Sequence, residues 1–112
     1  MSKYYMKNCL IINSSNPQEV IISLRSADNE YVVKEKSKLK HSHNLLILIS
    51  KVIRKRQISI NELSSIEIQT NGGSFTGIRI VITVANTLAW ALNIPVNNEK
   101  FIVPRYSSSK FD

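Results

Sequence analysis

Short apolar runs separated by polar turns fill the first third of the chain and predict strands. They are Cys9 to Ile12, Glu19 to Arg25, and Tyr31 to Val33. Pro17 falls in the first turn, where its missing N–H removes no ladder hydrogen bond. Together these segments predict an antiparallel three-strand meander.

Two longer apolar segments predict the main helices, at residues 43–56 and 78–93. Ser42 or Asn44 can cap the first helix, and its positive C-terminal end suits the helix dipole. The apolar residues of the second helix cover an arc of about 200°, roughly twice what a helix lying on one sheet needs. We therefore expect both helices to be covered once by their own domain and once by a partner.

The segment between the helices predicts a short turn capped by Ser59 and then a strand from Ser65 to Thr70. One more strand is expected at residues 101–103. The whole pattern predicts a single α/β domain with a mixed sheet and two main helices, spanning residues 1–104. A frayed tail is expected at residues 105–112.

A glycine-rich turn, residues 72–77, joins the predicted strand to the second helix. Such a turn can aim backbone N–H groups at an anion. However, the P-loop lysine is absent and the pattern of three spaced glycines is not met. The hydroxyls of Ser74 and Thr76 have no base placed beside them by the sequence, so capping of the helix is favoured over catalysis. We expect no enzyme activity.

Fifteen Lys and Arg residues against eight Asp and Glu residues give a net charge of +7, which favours acidic partners. Lysines recur at every second position after the third strand, which in a strand places them on one face. A solvated outer face or a protected sheet edge is the favoured interpretation. The alternative is a nucleic-acid contact, and its residues are Lys34, Lys36, Lys38, Lys40, Arg54, Lys55 and Arg56.

The sequence gives little support for a metal site, a reactive cysteine or a membrane-spanning segment. Cys9 is the single cysteine and is expected to be a small core residue. His41 and His43 make a weak case for zinc, because no acidic or sulfur partner is near them in the sequence. The N-terminus does not have the pattern of a signal peptide, and no run of eighteen uninterrupted apolar residues occurs. A cytoplasmic protein without a cofactor or membrane contact is expected.

The glycine turn and its flanks resemble the N-terminal lobe of the TsaB/YeaZ family. Residues that match the family's turn are Gly73, Ser74, Phe75, Thr76, Gly77, Arg79 and Ile80. Leu88 to Ala91 and Ile94-Pro95 match the following helix and its end. His41-Ser42 before Leu45-Leu46 is also shared. The similarity covers roughly residues 8 to 96.

This resemblance implies one actin-like ATPase (RNase H-like) lobe. It also implies a non-catalytic subunit in tRNA threonylcarbamoyladenosine modification, which pairs with a TsaD-like enzyme or with itself, while a TsaE-like ATPase joins the complex. The pairing surface would be the two helices. Its expected residues are Leu45, Leu46, Ile49, Ile53, Ile78, Ile82, Thr83, Ala85, Asn86, Leu88, Ala89 and Trp90. Direct binding of tRNA by the basic residues remains the alternative.

Three departures from the family pattern bear on chemistry. The chain has Asn13-Ser14-Ser15 where relatives have Asp-x-Ser/Thr, and an amide cannot replace a carboxylate as a hard-cation ligand. Asn71-Gly72 stands where relatives have Gly-Pro. The turn therefore still contains a glycine, which can adopt backbone conformations that other residues rarely adopt. Relatives carry a second lobe of similar size that is not expected in this sequence. We therefore expect no nucleotide cleft between lobes.

Overall fold

The computed structural model describes residues 8–26, 29–36, 42–72 and 74–97. Its elements in chain order are β1 (Asn8–Asn13), β2 (Val20–Arg25), β3 (Glu30–Glu35), α1 (Ser42–Lys55), a 3₁₀ turn (Ile60–Glu62), β4 (Leu63–Gln69) and α2 (Phe75–Leu92). Lys38, Lys40, His41, Gly73, the strand expected at 101–103 and the tail at 105–112 lie outside the described residues.

The four strands form one mixed sheet in the order β3-β2-β1-β4. β1 pairs antiparallel with β2, and β2 pairs antiparallel with β3, so the expected meander is confirmed. β1 pairs parallel with β4, a pairing that requires the long crossover through α1. The carboxyl ends of β1 and β4 therefore meet at the same end of the sheet, where α2 begins.

The core lies between the sheet and a layer made by the two helices. Alternate residues of the strands face this layer, among them the fully buried Leu10, Ile22 and Ile66. α1 packs against β2 and β3, α2 packs against β4, and the helices contact each other. The opposite side of the sheet carries no described helix. We call it the open sheet face because no described helix lies on it. It includes Cys9, Ile11, Ser23, Val32 and Lys34, of which Ile11 and Ser23 are buried and Val32 and Lys34 are exposed.

The termini of α2 differ from the predicted ones for local reasons. The helix begins at Phe75, three residues before the expected start, because the side chain of Ser74 accepts a hydrogen bond from the N–H of Gly77 and caps the first turn. It ends at Leu92, since Asn93 takes the left-handed conformation with φ of 57°. α1 ends at Lys55, one residue earlier than expected.

The connection into β4 follows the predicted chemistry. Ser59 caps the 3₁₀ turn by accepting a hydrogen bond from the N–H of Asn61. The Glu62 carboxylate accepts one from the N–H of Ser59, which completes a capping box. These two bonds fix the direction in which the chain enters β4.

The chain returns to the outer edge of β4 after α2. The N–H of Ile66 donates to the carbonyl of Pro95 at 2.9 Å, and the N–H of Asn97 donates to the carbonyl of Ile66 at 2.8 Å. The Asn97 side chain also accepts from the N–H of Ile68 at 2.9 Å. Val96 is fully buried beneath this contact. The outer edge of β4 is thus partly closed by the chain itself.

Candidate partner surface and glycine turn

One side of α2 is enclosed by its own domain, and this revises the expected pairing surface. Seven of the twelve expected residues are buried in the chain's core and do not lie on its surface. They are Leu45, Ile49, Ile53, Ile78, Ile82, Ala85 and Ala89. The physical reason is that β4 and α1 approach α2 from two directions, so a single domain covers most of the wide apolar arc. The width of this arc therefore gives no evidence for a partner.

The other five expected residues retain access to solvent. Trp90 is 74% exposed and Leu46 is 42% exposed, while Thr83 is also exposed. Asn86 and Leu88 are half-buried. An exposed tryptophan on a helix leaves a large apolar surface in water, and tryptophan is enriched at protein interfaces.

Two exposed large apolar residues on the described helices are absent from the predicted contacts. Phe75 is 50% exposed at the start of α2, and Ile47 is 43% exposed on α1. The Arg79 guanidinium lies 5.6 Å from the centre of the Phe75 ring, in a cation–π arrangement. Phe75 lay before the expected helix start, and Ile47 stood in an unbroken apolar run, so helical periodicity could not assign either to the outside. We define the outer helix surface as Leu46, Ile47, Phe75, Arg79, Thr83 and Trp90.

The glycine turn positions the first turn of α2. Gly72 has φ of +85°, a conformation that side-chain-bearing residues rarely adopt. A Cβ at this position would lie 3.0 Å from the carbonyl oxygen of Ser15, so the turn passes close to the backbone after β1. Ser74 acts as the helix cap, as predicted, whereas Thr76 is exposed within the first turn.

The residues that follow β1 form a local turn beside the glycine turn. The Asn13 side-chain oxygen accepts hydrogen bonds from both the backbone N–H and the hydroxyl of Ser15. The N–H of Ser14 donates to the carbonyl of Gln69 at 2.8 Å, which ties the ends of β1 and β4 together. The amide of Asn13 thus supports the turn. No group of three potential metal-ligating side chains occurs in the described part of the chain.

The basic residues of the nucleic-acid hypothesis do not form one patch where they are described. Lys34 lies on the open sheet face, because it shares the exposed side of β3 with Val32. Arg56 lies on the helix side instead, with its guanidinium 5.7 Å from the centre of the Tyr31 ring, and Tyr31 packs against the core. Arg54 and Lys55 are exposed in the last turn of α1. The structure therefore separates these cations onto different sides of the sheet.

Cys9 is half-buried on β1 rather than fully enclosed in the core. Burial raises the pKa of its thiol above the usual value, with a smaller opposing effect from a hydrogen bond with Ser65. A thiol with a raised pKa is protonated at neutral pH, and the thiolate is the reactive form. The environment of Cys9 thus disfavours a nucleophilic role.

α2 is also long and apolar enough to cross a membrane, judged by length and composition alone. Core helices of globular domains share this property. In the structure Val81, Ala85 and Ala89 of this helix are buried against the domain's own elements. The packing is that of a core helix.

The comparisons with known proteins agree with this fold. A sequence model described as "TsaD: tRNA N6-adenosine threonylcarbamoyltransferase" matches residues 19–98. The tRNA threonylcarbamoyladenosine biosynthesis protein TsaB of Buchnera aphidicola subsp. Baizongia pistaciae is 32% identical over 74 residues, which cover 66% of this chain and 34% of that protein. The protein of the same name from Bacillus subtilis is 33% identical over 90 residues, covering 79% of this chain and 38% of that protein.

A solved structure, YeaZ from Pseudomonas aeruginosa, superposes with a TM-score of 0.73 and 25% identity over 81% of this chain and 42% of that chain. The mixed sheet and its helix layer define a single actin-like lobe. The chain belongs to the TsaB/YeaZ family. It spans about a third of the length of the curated relatives that it matches.

Proposed function

We propose that the chain is a non-catalytic subunit in tRNA threonylcarbamoyladenosine biosynthesis and that it binds a TsaD-like enzyme. The pathway is suggested by the names of the curated relatives. The observation that carries the binding role is Trp90, whose side chain is 74% exposed on α2, whereas most of the other large apolar side chains in the described part of the chain are buried. A partner would remove this surface from water.

The chemistry of the described residues supports a role without catalysis. The hydroxyl of Ser74 is used as a helix cap, and the side-chain oxygen of Asn13 is used within its own turn. The raised pKa of the Cys9 thiol keeps it in the unreactive form at neutral pH. The side-chain oxygens of Ser74 and Asn13 are thus engaged in local hydrogen bonds of the fold.

The proposed contact is the outer helix surface. Trp90 supplies the largest exposed side chain, and Leu46 and Ile47 supply further apolar area on the neighbouring helix. Exposed Thr83 lies on the opposite side of α2 from the buried Ala85, so Thr83 can contact a partner without disturbing the core. Aromatic residues near the centre of an interface often supply much of the binding free energy.

The first experiment measures the molar mass of the chain, alone and mixed with the TsaD-like protein of the same organism, by light scattering after size exclusion. We expect a defined heterodimer. Trp90→Ala should weaken binding by about tenfold or more, because a buried aromatic anchor is lost. Thr83→Arg should weaken it through a clash and an unpaired charge.

The matched control is Ile60→Thr, which changes an exposed apolar residue in the 3₁₀ turn, outside the outer helix surface and outside β3. We expect this variant to bind the TsaD-like protein as the unchanged chain does. Absence of any complex would contradict the proposed function. A complex that tolerates both helix variants would place the contact elsewhere and reject the outer helix surface.

Direct tRNA binding is the alternative, favoured by exposed Arg54 and Lys55 at the end of α1 and by the net charge of +7. Each neutralised phosphate releases counterions, so this binding would fall steeply as salt is raised. The test measures fluorescence anisotropy of labelled tRNA between low and physiological salt. Arg54→Glu combined with Lys55→Glu should abolish the salt-dependent part, and a flat salt response would reject the alternative.

A further inference from the structure

The two edges of the sheet differ in whether another segment of the chain covers them. The outer edge of β4 is occupied by residues 95–97, through backbone and side-chain hydrogen bonds. β3 forms the opposite edge, and β2 is the one strand that pairs with it among the described residues. An edge strand presents a row of N–H and C=O groups that can pair with another strand. β3 is therefore the edge to examine for a partner.

The sequence of β3 is complementary to itself when it is reversed. From Glu30 to Lys34 it reads Glu-Tyr-Val-Val-Lys. If a second copy lies antiparallel with Val32 opposite its own counterpart, Glu30 of each copy faces Lys34 of the other. Opposite charges directly across two strands stabilise an antiparallel pair, whereas like charges destabilise it. This register therefore creates two favourable charge pairs by symmetry.

In this register the helix layers of the two copies would also lie on the same side of the joined sheet. Glu30, Val32 and Lys34 lie together on the exposed face of β3, whereas Tyr31 and Val33 face the helix layer and pack against the core. Each residue would meet a residue from the same side of the second sheet, because side chains alternate along a strand. Val32, which is 50% exposed, would meet its counterpart at the two-fold axis.

Charged groups within the chain leave these contacts available. The Glu30 carboxylate is 3.9 Å from Arg25 on β2, and both side chains remain about half exposed. Lys34 lies opposite Ile21 in the β2 ladder, so its neighbour across that strand pair is apolar. In the pairing described here, Glu30 would lie between Arg25 of its own chain and Lys34 of the second copy.

We propose that two copies of this chain pair through β3, antiparallel and with Val32 at the two-fold axis, to form one continuous sheet that joins the four described strands of each copy. Main-chain hydrogen bonds between the edge strands supply the affinity, and the two Glu30–Lys34 pairs set the register. The contact is small compared with a standard interface, so the dimer is weak and depends on concentration. α2 packs at the other edge of the sheet, against β4, so this dimer leaves Trp90 accessible.

The test is sedimentation equilibrium of the full chain over a wide concentration range at physiological salt. Lys34→Glu places glutamates opposite each other, and Glu30→Lys places lysines opposite each other. We expect either change to weaken self-association about tenfold or more, since two attractive pairs become repulsive. Lys34→Glu also lowers the positive charge of the chain, so general repulsion would change association in the opposite direction.

Mixing the two variants gives the sharpest result. In a mixed dimer every Glu of one variant faces a Lys of the other, so association should recover in the mixture although each variant alone associates more weakly than the unchanged chain. The chain that carries both changes should also associate. Circular dichroism of each variant checks that the fold is retained.

Lys51→Glu is the matched control, because it makes the same charge change at an exposed position on α1. We expect it to leave self-association unchanged. The proposal is overturned if the unchanged chain stays monomeric at all concentrations, if the mixture fails to recover association, or if Lys51→Glu weakens association as much as Lys34→Glu does. Because the β3 variants leave the outer helix surface intact, their binding to the TsaD-like protein reports separately on the proposed function.

Discussion

α2 carries a single charged residue, Arg79, but its inner and outer sides have opposite environments. Val81, Ala85 and Ala89 on the inner side are buried, whereas Thr83 and Trp90 on the outer side are exposed. The inner side is covered by β4 and α1, both from the same chain. A wide apolar arc on a helix therefore indicates close packing in a layer of two helices on a sheet. Evidence for a partner comes from the exposed aromatic residue instead.

Ala85→Arg should produce the largest difference between the two sides. The position is fully buried, so an arginine there would overpack the core and bury an unpaired charge. We expect the free energy of unfolding to fall by about 3 kcal/mol or more. Urea denaturation followed by circular dichroism measures this change.

Thr83→Arg is its control, because the same side chain is introduced two residues earlier at an exposed position. Its effect on stability should stay within about 0.5 kcal/mol. Equal destabilisation by the two arginines would contradict the assignment of inner and outer sides.

Gly72→Ala should have the next largest effect, because the turn at Gly72 determines how α2 enters the helix layer. Its φ of +85° is strained for alanine, and the new Cβ would lie 3.0 Å from the carbonyl oxygen of Ser15. We expect a loss of about 1–2 kcal/mol in thermal or chemical unfolding.

Gly77→Ala is the matched glycine change for this turn. Its Cβ would meet the Ser74 hydroxyl at 2.8 Å, but it would also gain helix propensity within α2. The two effects oppose each other, so the net change should be smaller than that of Gly72→Ala. The reverse order would show that the turn tolerates a side chain at Gly72.

Ser74→Ala should destabilise the chain by about 1 kcal/mol, since the N–H of Gly77 loses its acceptor. Thr76→Ala removes a hydroxyl from the same turn, at an exposed position that does not cap the helix, and should cost less. Thermal unfolding of both variants tests whether the start of α2 is held by Ser74. Identical stability of the two would contradict the cap.

Trp90→Ala should have the smallest effect on stability, within about 0.5 kcal/mol, because most of its side chain is already in water. Val81→Ala on the inner side should cost about 2 kcal/mol through the cavity it leaves. Chemical denaturation compares the two. If Trp90→Ala destabilises as strongly as Val81→Ala, the ring is packed within the chain and cannot be an exposed contact.

Much of the fold could be predicted because its signals are local. Short apolar runs bounded by polar turns predict the strands of the meander, and the capping chemistry of Ser59 and Ser74 depends on neighbours within three residues. Helical periodicity predicts a start of α2 that is three residues too late, because Phe75-Thr76-Gly77 lacks the apolar pattern that begins at Ile78. The cap at Ser74 was the better signal for the helix start.

The candidate surface could be predicted only in part. Leu46, Thr83 and Trp90 are exposed as a contact requires, but the neighbouring Leu45, Ile82 and Ala89 are not. The basic residues were grouped by composition, while the alternation of β3 and the contact of Arg56 with Tyr31 place them on different sides. Periodicity identifies the apolar side of a helix, but it does not count the elements that cover that side.

Sequence alone is enough to predict the strands of the meander, the two helices, the glycine turn and the resemblance to the TsaB/YeaZ family, because each depends on residues close together in the chain. The parallel pairing of β1 with β4, the contact of α1 with α2, and the outer edge of β3, to which no described strand is paired, are seen only in the folded domain. Burial and strand pairing depend on which distant segments of the chain pack together. These contacts between distant segments depend on how the whole domain packs.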